Sequence, residues 1–127
     1  MGTVSIEFAE QPVTIRPFTP DKAEVHFTLS LNSAGPYWVE CLVESPRQLS
    51  LAPQRELDRA RMMIGILNKG ESKNKDLRVF SSNATYPDTY NIKFTFLIYD
   101  RDGVIAERVD YKHDIVCRVA DVNAKVL

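Results

Sequence analysis

Apolar and polar residues alternate with a period of two along most of this chain, and no long stretch keeps a helical period. Val4, Ile6 and Phe8 are separated by polar residues, and Val13 and Ile15 continue the pattern after Pro12. Pro17 and Pro20 close that first strand, because neither can donate to a ladder. Asp21-Lys22 reads as a turn. In a second strand Val25, Phe27, Leu29 and Leu31 face one way, and Glu24, His26, Thr28 and Ser30 the other. Asn32-Ser33-Ala34-Gly35-Pro36 is a turn by composition. A third strand runs from Tyr37 to Val43 and stops before Pro46.

The pattern is weakest from Pro46 to Arg61. Leu49 and Leu51 fit a short edge strand there. Gln54 to Ala60 fit one or two helical turns, with Pro53 at their start. Strands resume with Met62, Ile64 and Ile66, break at Asn68-Lys69-Gly70-Glu71-Ser72, and return with Leu77 and Val79. The strongest segment places Tyr90, Ile92, Phe94, Phe96 and Ile98 on alternate positions, with Asn91, Lys93 and Thr95 between them. Asp100-Arg101-Asp102-Gly103 is a hairpin signal, since Gly103 can take positive φ. On the returning strand Ile105, Val109, Tyr111, Ile115, Cys117 and Val119 share one parity; Arg108, Asp110, Lys112, Asp114 and Arg118 share the other. Residues 120–127 carry no pattern and are expected to fray.

Short strands with turns between them predict an all-β, immunoglobulin-like antiparallel sandwich. The expected form is a Greek key of about seven to nine strands in two sheets. A closed barrel is the structural alternative. The first two strands and the Leu77 strand are expected to share one sheet, and the Tyr37, Tyr90 and Val104 strands the other. A chain of 127 residues fits one domain over 1–127, long enough to bury a core without disulfides or metals.

A net charge of −1, with no basic stripe, speaks against nucleic acid as a partner. No apolar run is long enough for a helix to cross a bilayer, so membrane insertion is not expected. The N-terminus alternates like a strand and lacks the basic and apolar regions of a signal peptide. The expectation is a soluble protein inside the cell, or an exported one if a leader has been removed. Cys41 and Cys117 read as two buried thiols, because their strands should not be neighbours. No Cys/His spacing suits zinc. His113 and Cys117 lie four apart, which on a strand separates them by about 13 Å.

Asn32 and Gly35, and then Ile64-Gly65-Ile66-Leu67-Asn68-Lys69-Gly70-Glu71-Ser72-Lys73, resemble the prokaryotic cell-adhesion-related immunoglobulin-like domains called CARDB-like. Tyr86-Pro87-Asp88-Thr89-Tyr90 and Tyr99-Asp100-Arg101-Asp102-Gly103-Val104-Ile105-Ala106-Glu107 are similar to their last two strands. The likeness spans roughly residues 24 to 118. It implies a Greek-key sandwich and, usually, an extracellular binding or spacer role. Tyr90, after Pro87-Asp88-Thr89, also resembles the tyrosine corner of such sandwiches, where the hydroxyl bonds back to nearby backbone.

No residues assemble a catalytic constellation or a cofactor site by pattern. His26 should face outward as an ordinary exposed histidine. His113 has inward parity and reads as a core histidine satisfied by a carbonyl. Asp100, Asp102 and Glu107 cluster around the hairpin, but Arg101 between the two aspartates argues against calcium and for turn chemistry. Asn83-Ala84-Thr85 is a glycosylation triplet that matters only in an exported protein. Arg47, Arg55, Arg59 and Arg61, mixed with Glu56 and Asp58, read as a solvated loop ahead of an anion or partner contact.

The third strand carries the sharper expectation. With Tyr37, Val39, Cys41 and Val43 inward, Trp38, Glu40 and Leu42 face out. Leu97 and Tyr99 face out on the strongest strand. In an immunoglobulin-like sandwich these strands are neighbours, so Trp38, Leu42, Leu97 and Tyr99 would form one exposed apolar patch. Two alternatives oppose this. Trp38 could point inward and drive Glu40 to the core, or the segment Pro46–Arg61 could fold over the patch. The functional expectation is a non-catalytic protein-interaction module, with a partner protein or a second copy meeting Trp38. The other expectations are a ligand-binding protein or enzyme using His113, Asp100 and Asp102 at a loop end, and a spacer of a surface protein.

Overall fold

A computed structural model describes residues 4–9 and 13–119. The described residues form eight strands: β1 (Val4–Phe8), β2 (Val13–Ile15), β3 (Lys22–Leu31), β4 (Tyr37–Glu44), β5 (Arg59–Leu67), β6 (Ser72–Phe80), β7 (Asp88–Tyr99) and β8 (Ile105–Cys117). They make a three-stranded sheet, β1-β3-β6, packed on a five-stranded sheet, β2-β8-β7-β4-β5. The fold is the all-β sandwich that the alternation predicts. The tail, 120–127, lies outside the described residues.

The core is where the two inward parities meet. Tyr90, Ile92, Phe94, Phe96 and Ile98 of β7 are all buried, as are Val25, Phe27, Leu29 and Leu31 of β3. The Phe27 ring lies edge-on to Phe94 and Phe96, each at 5.6 Å between centroids, so one aromatic joins the sheets. The β7–β8 hairpin pairs antiparallel over its whole length, from Asp88 opposite Cys117 to Tyr99 opposite Ile105. The Tyr90 hydroxyl donates to the carbonyl of Tyr86 at 2.6 Å, the corner expected of it. Cys41 and Cys117 are buried free thiols. The level of Cys41 on β8 is Val109, roughly 27 Å along the strand from Cys117.

Four expectations need correction. Val13 and Ile15 do not extend the first strand's sheet. They cross over and pair in parallel with Ile115–Cys117 of β8. Both still point into the core, because alternation records the side a residue faces and not the sheet that holds it.

Residues 54–60 form no helix, and Leu49 and Leu51 form no strand. Ser50 alone makes a bridge, to Phe80 of β6. Its hydroxyl accepts from the amides of Ala52 (3.2 Å) and Leu57 (3.0 Å), which offers this backbone a local alternative to helical bonds. Leu49 plugs the core beneath, and Arg59 and Arg61 belong to β5.

In β5, Ile64 is buried but Ile66 is 46% exposed. Val39 faces Gly65 and Glu40 faces Met63, so Ile64 is the extra residue of a bulge and parity inverts beyond it. Gly65 takes φ of +108°, a conformation closed to most side chains.

A second register shift, between Ile98 and Tyr99, sets Ile98 opposite Glu107 and Tyr99 opposite Ile105. Ile105 is thereby turned outward, 51% exposed, and Val119 beyond the strand is exposed as well.

Candidate functional site

The outer face of the five-stranded sheet follows from strand register. Trp38, Glu40 and Leu42 point outward from β4, as the core positions Val39, Cys41 and Val43 require. Across β7 they meet Tyr99, Leu97 and Thr95. The four residues expected to form a patch, Trp38, Leu42, Leu97 and Tyr99, are therefore on one surface. Trp38 is 43% exposed, and the other three are half-buried by their neighbours. Three further apolar side chains reach the same surface, two of them, Ile66 and Ile105, by way of the bulges. Ile66 and Met63 arrive from β5, and Ile105 from β8, each about half exposed.

Row by row the face reads Ile66–Trp38–Tyr99–Ile105, then Met63–Glu40–Leu97–Arg108, then Arg61–Leu42–Thr95–Asp110. The segment 46–58 does not cover it. That segment closes against the other sheet through Ser50–Phe80 and through the Thr85 hydroxyl, which donates to the Gln48 carbonyl at 2.6 Å.

A carboxylate sits inside this patch. Glu40 is only 9% exposed, yet it faces out. Tyr99 Oη donates to its Oε1 at 3.2 Å, and Arg61 Nε lies 3.3 Å from its Oε2. The apolar neighbours shield the carboxylate, and these two donors offset the lost hydration. Burial, then the Glu40 charge and the bond donated to it, raise the Tyr99 phenol above its ordinary value; Arg61 opposes the shift. Beside this group, Leu42, Leu97 and Ile105 floor an open groove of about 690 Å³, with Arg59 and Arg61 on one bank and Arg108 on the other. The guanidiniums are anchored: Arg59 on Glu44 at 3.4 Å, Arg108 on Asp110 at 3.4 Å.

The loop-end alternative is not assembled. His113 is fully buried between the sheets, opposite Ile92, with Nδ1 3.1 Å from the Asp114 carbonyl oxygen. Asp100 lies past the far end of β7 from it. Its Oδ1 accepts from the amides of Asp102 (2.9 Å) and Val104 (3.0 Å), which is turn chemistry. His26 is exposed on the outer face of the three-stranded sheet and bonds Asp76 on β6. Arg47 lines a recess with Glu56 and Asp58, separate from the groove that Arg59 and Arg61 flank. Asn83 is exposed in the β6–β7 turn. Among the described residues no three His, Cys, Asp or Glu side chains are grouped to hold a metal ion, and no helix is long and apolar enough to cross a membrane.

Neither a family model nor a curated protein matches this sequence. Solved structures do share its fold. A family 123 glycoside hydrolase from Clostridium perfringens superposes with a TM-score of 0.58 at 8% identity, over 92% of this chain and 27% of the hydrolase. The chain thus spans about a quarter of that enzyme's length. The CARDB domain of a Pyrococcus furiosus protein, determined in complex with di-metal ions, superposes at 0.52 with 16% identity, over 91% of this chain and 86% of that domain. A FixG-related protein from Vibrio parahaemolyticus superposes at 0.51 with 8% identity, over 94% of this chain and all of its own. At these identities the likeness shows the fold, a CARDB-like immunoglobulin-type sandwich.

Proposed function

We propose that this chain is a non-catalytic protein-interaction module, which meets its partner through the outer face of the five-stranded sheet. The observation that carries this reading is the confluence of Trp38, Met63, Ile66 and Ile105, all about half exposed, on one surface with Leu42, Leu97 and Tyr99. Contiguous apolar surface of this kind, rimmed by polar groups, is what contact sites require. Trp, Tyr and Arg are also the side chains that dominate interface energies, and here Trp38 pairs with Tyr99, while Tyr99 and Arg61 meet on Glu40. The outer face of the other sheet offers the contrast. It is lined by cross-strand polar pairs such as Thr28–Asn74 and Ser30–Ser72, which are already satisfied.

Site-specific photocrosslinking in the native cell tests this. A photoreactive amino acid at Trp38 or Ile105 should give discrete protein adducts, while one at Thr28 on the opposite sheet should not. Equal adduct yields from both faces would overturn the reading.

A further inference from the structure

We infer that the outer face of the five-stranded sheet takes a second copy of this chain, related by a two-fold axis that runs along the strands between β4 and β7. The inference rests on the contact-surface reading above and names its partner. The rows of the face carry the argument. Rotation about such an axis lays β5 of one copy over β8 of the other, and β4 over β7, at the same level along the strands.

The first row, Ile66–Trp38–Tyr99–Ile105, reads aliphatic, aromatic, aromatic, aliphatic. It is its own complement: Trp38 meets the partner's Tyr99, and Ile66 meets the partner's Ile105. The third row, Arg61–Leu42–Thr95–Asp110, sets Arg61 on the partner's Asp110 and Leu42 on the partner's Thr95. In the second row the partner's Arg108 comes over Met63, one strand spacing of about 4.8 Å from Glu40. Glu40 then gains a second guanidinium where its remaining lone pairs would otherwise be covered by apolar surface. Glu44 likewise falls on the partner's Lys93; of the charges directly opposed across the axis, only Arg59 and the partner's Lys112 are alike.

The area is adequate. Four side chains about half exposed, at about 200 Å² each when fully exposed, with the three half-buried neighbours, supply on the order of 500 Å² of apolar surface. A stable interface needs about 800 Å² on each side, and the flanking Arg61, Arg108 and Asp110 make up the remainder. Two twisted sheets stacked face to face, within about 30° of parallel, keep the rows in register near the axis.

The test is sedimentation equilibrium with a charge swap divided between two proteins. The wild type should dimerise as concentration rises. Arg61→Asp alone and Asp110→Arg alone should each be monomeric, since each pairs like charges twice across the axis. Mixed together, they should form a heterodimer, because both crossed contacts become opposite charges again. A wild type that stays monomeric at about 1 mM, where even a weak dimer would be half formed, overturns the proposal. So does a wild-type dimer whose two variants fail to associate on mixing. If either charge variant does not fold, Trp38→Glu at the exposed ring takes its place: a roughly 30-fold loss of association is expected, and unchanged association overturns the two-fold. Failure of the dimer is distinct from failure of the contact surface, because crosslinking from Trp38 to another protein would survive it.

Discussion

Glu40 is the residue at which the surface departs most from a plain hydrophobic patch. It must face out, because Val39 and Cys41 face in, yet its neighbours leave it nearly dry. Tyr99 and Arg61, from the strands on either side, hold the carboxylate, the one by a hydrogen bond to Oε1 and the other by an ion pair with Oε2. This coupling has a spectroscopic signature. Burial raises the Tyr99 phenol first, and the Glu40 charge and hydrogen bond raise it further. Glu40→Gln keeps the shape and an acceptor but removes the charge. An ultraviolet pH titration of the variant should show one phenol moving down, toward the ordinary tyrosine value of about 10. Tyr99→Phe should delete that same titration from the wild-type curve. If the curve of Glu40→Gln matches the wild type, the two side chains are not in contact.

At the scale of the element, Leu97 tests the register on which the whole face depends. It is half-buried between Glu40 on β4 and Arg108 on β8, and points away from the core. Leu97→Lys should therefore keep a far-ultraviolet spectrum and thermal midpoint close to the wild type, with loss confined to association. An unfolded variant would mean that Leu97 faces the core. Gly65 tests the bulge. With φ at +108° and Lys73 Nζ 3.3 Å from where a β-carbon would stand, Gly65→Ala should destabilise by about 1–2 kcal/mol in urea titration.

These two residues also show what the sequence carries and what it hides. Trp38, Leu42, Leu97 and Tyr99 were legible, because uninterrupted alternation in β4 and β7 fixes the side on which each falls. Ile66 and Ile105 were not, because one extra residue in each of two strands inverts parity beyond it; Met63, ahead of the bulge, keeps the outward side that alternation with Met62 and Ile64 gives it. The place of a bulge is set by pairing with the neighbour strand; only Gly65 hints at it locally. The partners of Glu40 were hidden for the same reason, since Tyr99 and Arg61 reach it through pairing. Alternation also could not tell that β2 leaves the sheet of β1, nor that Ser50 would tie residues 50–57 into a loop.

At the scale of the whole molecule, the sandwich keeps weak acids in places where their charged forms are disfavoured, and this sets its response to alkali. Burial pushes the Cys41 thiol, fully buried between the sheets opposite Phe96, up to about 12 from an ordinary value near 9. Burial likewise raises Cys117 and Tyr90, with nearby negative charge adding to each. All these groups bind their protons more tightly in the native chain than in the unfolded one. Each therefore contributes stability that is fully present below its unfolded value and lost as pH climbs through the folded one. For Cys41 the window runs from near 9 to about 12. The urea midpoint should be flat with respect to these groups below pH 8 and should fall as pH rises through that window. Cys41→Ala would cost stability at pH 7 through the small cavity it leaves, but its stability should fall less steeply above pH 9. The thiols offer an independent readout. Near pH 8 a thiol-specific reagent should label neither cysteine in the native protein and both in urea. Rapid native labelling of Cys41 would mean that the sheets open locally far more readily than a core closed by Phe27, Phe94 and Phe96 should allow.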